Sequence, residues 1–119
     1  MKKQIFVYDQ NMSFNHLLKL CYSKQFLIES YTTKRKVDIE CGKNYEAAFF
    51  MIISLEDFRF FIKSAKLFKN LFVITSVKLF EFQISSMMLE NIVIFDFNDD
   101  VKKDIIKEID FQLKQKKIL

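Results

Sequence analysis

Ala47-Ala48-Phe49-Phe50-Met51-Ile52-Ile53-Ser54 runs apolar from Ala47 to Ile53 and then stops at a hydroxyl. A bilayer span needs about 20 such residues, so this run is far too short to cross a membrane. It shows no polar alternation, which is the pattern of a strand covered on both faces. Ser54 is a good N-cap, and Asp57, three residues on, brings it close to a capping box. The spacing predicts a helix over Leu55–Lys69, with Phe58, Phe61, Ile62, Ala65 and Phe68 along one face. A buried strand handing directly to a capped helix is one β-α unit.

The same unit recurs in both directions along the chain. Gln4–Tyr8, Phe26–Ile28, Leu71–Thr75 and Asn91–Phe97 are further short apolar runs. Between them lie helical patterns: Asn15 to Tyr22, with Leu17, Leu18 and Cys21 at helical spacing, and Val77–Glu90. In a last helix capped by Asn98 or Asp99, Ile105, Ile106, Ile109 and Leu113 form the stripe. Lysines gather at its C-terminal end, where they suit the helix dipole. Thr33–Asn44 reads two ways. Val37, Ile39 and Cys41 alternate with Asp38 and Glu40, a strand signal, whereas the β-α rhythm asks for a short helix with Val37 and Cys41 inward. The helix is preferred because it preserves right-handed crossovers between parallel strands. Five strands alternating with five helices predict an α/β, doubly wound, five-stranded parallel sheet of flavodoxin-like type. The expected strand order is 2-1-3-4-5, in a single domain over 1–119.

Composition narrows the function classes. Half of the 119 residues are hydrophobic and 29% are charged, a globular balance that excludes a disordered chain. One Gly and no Pro exclude every phosphate-cradling glycine loop. The net charge of +4 is mildly basic, with denser groups at Lys34-Arg35-Lys36 and at Lys114, Lys116 and Lys117. These groups read as a basic turn and a solvated C-terminal helix face and not as a basic stripe of readers, so nucleic acid is not an expected partner. Cys21 and Cys41 form no CxxC pair and His16 is the only histidine, which leaves neither a disulfide framework nor a structural zinc set. Free thiols, in the core or half-buried, are expected. Met1-Lys2-Lys3 opens like a signal peptide, but Tyr8-Asp9-Gln10 interrupts the apolar stretch too early. The expected setting is the cytoplasm, away from membranes.

In open α/β sheets the functional crevice lies at the carboxyl ends of the strands. Those ends hold Tyr8, Asp9, Gln10 and Asn11; then Met51, Ile52, Ile53 and Ser54; then Thr75 and Ser76; and finally Asp96, Phe97, Asn98 and Asp99. Here the chain resembles the receiver domains of bacterial response regulators, over essentially its whole length. Ile5-Phe6-Val7-Tyr8-Asp9 is similar to the family's hydrophobic-acid-acid motif. Tyr45-Glu46-Ala47-Ala48-Phe49-Phe50-Met51 resembles the strand that ends in the phosphoacceptor, and Leu71-Phe72-Val73-Ile74-Thr75-Ser76 the strand that ends in the switch hydroxyl.

The resemblance implies a carboxylate nucleophile, two acids holding Mg²⁺ and a lysine after the fifth strand, because the metal must neutralise and position the phosphoryl group. The chain departs at each of these places. The acceptor position falls on Met51, a poor nucleophile. The acid pair is reduced to Asp9, and the lysine position falls within Asp96–Asn98, where no Lys occurs. Thr75 alone is intact. A single carboxylate does not organise a hard cation. A degenerate receiver pocket of Asp9, Met51, Thr75 and Asp96 is therefore expected, with no catalytic residues, no metal and no cofactor. Each residue also has a plain structural role open to it. Asp9 can cap the turn into the first helix. Thr75 and Ser76 can bond local backbone. Asp96, Asp99 and Asp100 can compensate the dipole of the last helix.

The expected function is a non-enzymatic signalling module that binds another signalling protein or a second copy of itself. The competing reading is a small flavodoxin-like cofactor- or nucleotide-binding protein, with phosphate at the loop Asp9-Gln10-Asn11-Met12-Ser13. Phosphate acceptance at Ser54 has no base beside it to support it. Helical projection of Val77–Glu90 places Phe80, Ile84, Met87 and Met88 inward and Phe82 and Leu89 outward, with Leu79 at the margin. Phe111 likewise points away from the stripe of the last helix. Leu79, Phe82, Leu89 and Phe111 are the expected interaction surface beside the fifth strand. The resembled family often dimerises through this region.

Overall fold

The structure, a computed structural model, describes residues 2–32, 44–96 and 102–119. Its strands are β1 (Lys3–Tyr8), β2 (Phe26–Tyr31), β3 (Tyr45–Met51), β4 (Leu71–Thr75) and β5 (Ile92–Asp96). Its helices are α1 (Ser13–Tyr22), α2 (Leu55–Ser64), α3 (Lys78–Ser86) and α4 (Lys102–Gln115), with a 3-10 turn at Ala65–Leu67. The strands form one sheet in the order β2-β1-β3-β4-β5. Every pairing is parallel, as the rhythm of apolar runs predicts. The segment 33–43, on which the fifth helix with Val37 and Cys41 was expected, lies outside the described residues. So do Asn98, Asp99 and Asp100, the expected caps and acids before α4.

Both faces of the sheet are covered, which explains the absence of polar alternation in the central strands. Ile5, Val7, Ala47, Phe49 and Met51 face α1 and α4, where they meet Phe14, Leu18, Ile105, Ile109 and Leu113. Phe6, Tyr8, Ala48, Phe50 and Ile52 face the opposite way, onto Phe58, Phe61, Phe80 and Ile84 of α2 and α3. Phenylalanines supply much of this packing. Phe49 stacks on Phe72 with ring centroids 4.7 Å apart, and Phe50 meets Phe61 edge-on at 5.0 Å.

Three local expectations are corrected. The helix after Ser54 stops at Ser64 and tightens into the 3-10 turn, short of Lys69. Phe68 then turns extended (φ −120°, ψ 142°) and drops onto the sheet beside Phe6, at 4.8 Å. Ile62 is 45% exposed, because Phe58, Phe61 and Ala65 take the sheet-facing side and Ile62 lies a full ~100° of helix rotation beyond Phe61. Cys21 is exposed rather than core or half-buried. Phe14, Leu18 and Tyr22, at four-residue spacing, occupy the buried stripe of α1 and leave Cys21 outside it.

Candidate functional site

The parallel topology brings the ends of β1, β3, β4 and β5 to one rim. Met51 pairs with Ile74 and Thr75 with Asp96 in the ladders, so the expected pocket residues share this edge. Asp9 and Met51 line one cavity of about 490 Å³, together with Asn11, Phe14, His16, Leu17 and Ile53 among others. Thr75 and Asp96 lie away from it, on the far side of β3.

Asp9 is buried, and its carboxylate is engaged by backbone. Oδ1 accepts from the N–H of Asn11 at 3.2 Å. Oδ2 accepts from the N–H groups of Phe14 and Asn15 at 2.8 and 3.1 Å. The residue at the N-cap position of α1, Met12, is left-handed (φ 63°) and gives no side-chain cap. Asp9 therefore caps α1 from three residues upstream, meeting both the orphan N–H groups and the positive end of the dipole. A ligand phosphate at this helix end would find those N–H groups taken and a carboxylate beside them, which disfavours the nucleotide reading.

Met51 ends β3 and is buried against the α1/α4 side of the core. Its thioether offers neither a metal-binding charge nor a phosphoryl nucleophile. Among the described residues, Asp9 is the one carboxylate lining the cavity. Thr75 is fully buried, and its Oγ1 accepts from the N–H of Val77 at 3.1 Å. Asp96 accepts from the ammonium of Lys78, which also lies 3.6 Å from Glu81. These two carboxylates hold the Lys78 ammonium above its ordinary range, Asp96 through hydrogen bond and charge and Glu81 mainly through charge. Among the described residues, no cluster of His, Cys, Asp and Glu is placed to hold a metal ion.

Two polar constellations at or near the sheet were not visible in the residue spacing. The Tyr8 phenol donates to Asp57 Oδ1 at 2.8 Å, while the N–H groups of Ile53 and Ser54 both donate to Asp57 Oδ2 at 3.0 Å. Asp57 thus completes the capping box and anchors Tyr8 at the end of β1. Burial first, and the Asp57 carboxylate second, push the Tyr8 phenol well above its ordinary value. On the other constellation, Tyr31 and Tyr45 both donate to Glu29 Oε2, at 2.7 and 2.9 Å, with their phenol oxygens 2.9 Å apart. Neither group could be paired from sequence, because each joins residues from different strands or a strand and a helix.

Of the four side chains expected to be exposed beside edge strand β5, three are. Leu79, Phe82 and Phe111 are 60%, 72% and 58% exposed. Phe111 also lines a shallow groove with Val93, Ile94 and Phe95 of β5. Leu89 does not belong to this surface; it is half-buried and packs on the core. The reason is that α3 ends at Ser86, and Met88 turns left-handed at φ 53°, so the helical projection fails beyond that point. The same break leaves Met88 exposed, where the projection placed it inward.

No family model matches this sequence, and no curated protein matches it. Solved structures do share the fold. The crystal structure of an adenylate cyclase from Rhodopirellula baltica superposes with a TM-score of 0.68 at 13% identity, covering 99% of this chain and 92% of the other. A response regulator protein from Burkholderia pseudomallei, bearing a phosphorylated aspartic acid, a calcium ion and citrate, superposes with a TM-score of 0.57 at 12% identity. That match covers 95% of this chain and 75% of the other. At such identities the likeness is one of fold: this chain has the receiver-like, flavodoxin-like α/β architecture.

Proposed function

We propose that this chain is a receiver-like signalling domain that works through protein contact and without phosphoryl transfer. Met51 carries the reading: where the resemblance places an aspartate nucleophile, β3 ends in a buried thioether. Asp9, the surviving acid, is engaged by backbone N–H groups of the α1 cap. With the acceptor absent and that acid occupied, Met51 and Asp9 do not supply the nucleophile and metal-holding charge that phosphoryl transfer needs. Contact with a signalling partner, or with a second copy, is assigned to the face of α3, β5 and α4 that exposes Leu79, Phe82 and Phe111. The likeness to the response regulator from Burkholderia pseudomallei supports the signalling class as an analogy of fold.

The test is to incubate the protein with acetyl phosphate, and separately with beryllofluoride, each with Mg²⁺. Intact mass and the amide NMR spectrum are expected to stay unchanged. A magnesium-dependent gain of one phosphoryl group, mapped near Asp9 or Ser54, would overturn the reading.

A further inference from the structure

The lysines that look scattered along the chain are gathered by the fold. In a parallel α/β sheet every strand begins, and every covering helix ends, at the same pole. Lys2 and Lys3 open β1 there, donating to the carbonyl of Ser23 just after α1 and to those of Lys117 and Ile118 just after α4. Lys24 lies just before β2, whose Phe26 pairs with Lys3. Lys66 and Lys69 lie just before β4, where the Asn70 side chain donates to the carbonyl of Glu46 at the start of β3. All five of these lysines are exposed. Among the described residues, Glu46, Glu90 and Asp110, the last hydrogen-bonded to Tyr22 at the end of α1 and paired with Lys114, oppose them at this pole, whereas Asp9, Asp57 and Asp96 sit at the other.

Part of this charge answers the negative ends of the helix dipoles, each worth about half an elementary charge. Lys2 and Lys3 act in that way, through their carbonyl contacts. Lys24, Lys66 and Lys69 extend the positive surface further into solvent. Aliphatic side chains protrude among them. Leu67, between Lys66 and Lys69, is 55% exposed, and Met88, just beyond α3, is 88% exposed. The aromatics nearest this pole, Phe26, Tyr45 and Phe68, are buried. The pole therefore offers point charges and aliphatic groups, with no exposed ring from these residues to stack on a base.

We propose that this pole rests on an anionic lipid surface, its lysines over the headgroups and Leu67 and Met88 entering the interfacial layer. Basic side chains combined with protruding aliphatic ones fit such a surface, since each lysine adds electrostatic attraction and each aliphatic group adds buried apolar area. The inference stands on charge placement, departs from the expectation of a setting away from membranes, and does not depend on the receiver-like reading.

Flotation with vesicles tests it. The protein is expected to float with phosphatidylglycerol-containing vesicles at low salt, to be released as salt is raised, and to ignore pure phosphatidylcholine. The triple variant Lys24→Glu/Lys66→Glu/Lys69→Glu should lower partition by at least roughly a hundredfold, from about fivefold per charge removed. Leu67→Ser/Met88→Ser should weaken binding while leaving its salt dependence in place. Lys78→Glu, at the opposite pole, should bind like the parent. Far-UV circular dichroism checks that each variant is folded. Failure of the folded parent to float with anionic vesicles at low salt would overturn the proposal. So would equal loss in the triple variant and in Lys78→Glu, or a preference for duplex DNA over the vesicles in direct competition.

Discussion

The phenol of Tyr8 and the carboxylate of Asp57 meet at 2.8 Å across the top of the sheet, joining the last residue of β1 to the first turn of α2. Both residues are buried. The same carboxylate caps α2, so one side chain locks a strand and a helix together. Tyr8→Phe removes one hydrogen bond and leaves both N–H contacts to Asp57 intact. It should lower unfolding free energy by about 1–2 kcal/mol in urea titrations. Asp57→Ala should cost more, because it strips the cap and orphans the Tyr8 hydroxyl as well.

Alkaline pH should unfold the protein through its tyrosines. Tyr8, Tyr22 and Tyr45 are each raised above their ordinary value of 10.0, chiefly by burial. The folded state therefore holds these protons more tightly than the unfolded chain. Their contribution is fully present below pH 10 and is lost as pH climbs toward the folded values. Stability should fall above pH 10 by up to about 1.4 kcal/mol per pH unit for each tyrosine. Urea midpoints measured between pH 8 and 11 check this, and Tyr45→Phe should shallow the decline.

Asp9→Ala should destabilise by about 1–2 kcal/mol through loss of the α1 cap. Hydrogen exchange should show the loss locally, with faster exchange at the Phe14 and Asn15 amides than in α2. Because the carboxylate serves backbone, millimolar Mg²⁺ should leave the thermal midpoint of the parent unchanged. A magnesium-induced rise that Asp9→Ala abolishes would show instead that this carboxylate holds the ion.

Met51→Asp places a carboxyl at the end of β3 without supplying the rest of the chemistry. Its surroundings are apolar, including Phe14, Phe49 and Ile74. The introduced carboxyl should cost about 1–3 kcal/mol even in its neutral form, and burial should raise its pKa because the charged form costs far more. Part of the stability should return on acidification toward pH 5. Acetyl phosphate with Mg²⁺ should still add no phosphoryl group, since Asp9 remains engaged in the cap.

Phe82→Asp/Phe111→Asp should leave folding free energy within about 0.5 kcal/mol of the parent, because both side chains are exposed. Sedimentation velocity over a concentration series should show self-association in the parent and its loss in the double variant. A parent that stays monomeric at high concentration would leave this face to a different partner protein.

Element type, strand order and the two buried faces were determined by the sequence itself, because short unbroken apolar runs alternating with capped helical patterns fit a covered parallel sheet and little else. The Ser54–Asp57 capping box is local, spanning one helical turn, and was legible for that reason. Tertiary structure alone decided what Asp57 does beyond that turn, since Tyr8 lies 49 residues away and reaches it only when β1 and β3 pair. It also decided that Asp9 serves backbone, because a carboxylate's partners depend on where the chain turns after it. Leu89 turned inward because the helix ended at Ser86, within the Ser85-Ser86 pair where a break rotates the helical projection. The gathering of Lys24, Lys66 and Lys69 at one pole has the same origin. Periodicity fixes which side of an element is apolar, while only the pairing of distant strands sets which charges become neighbours.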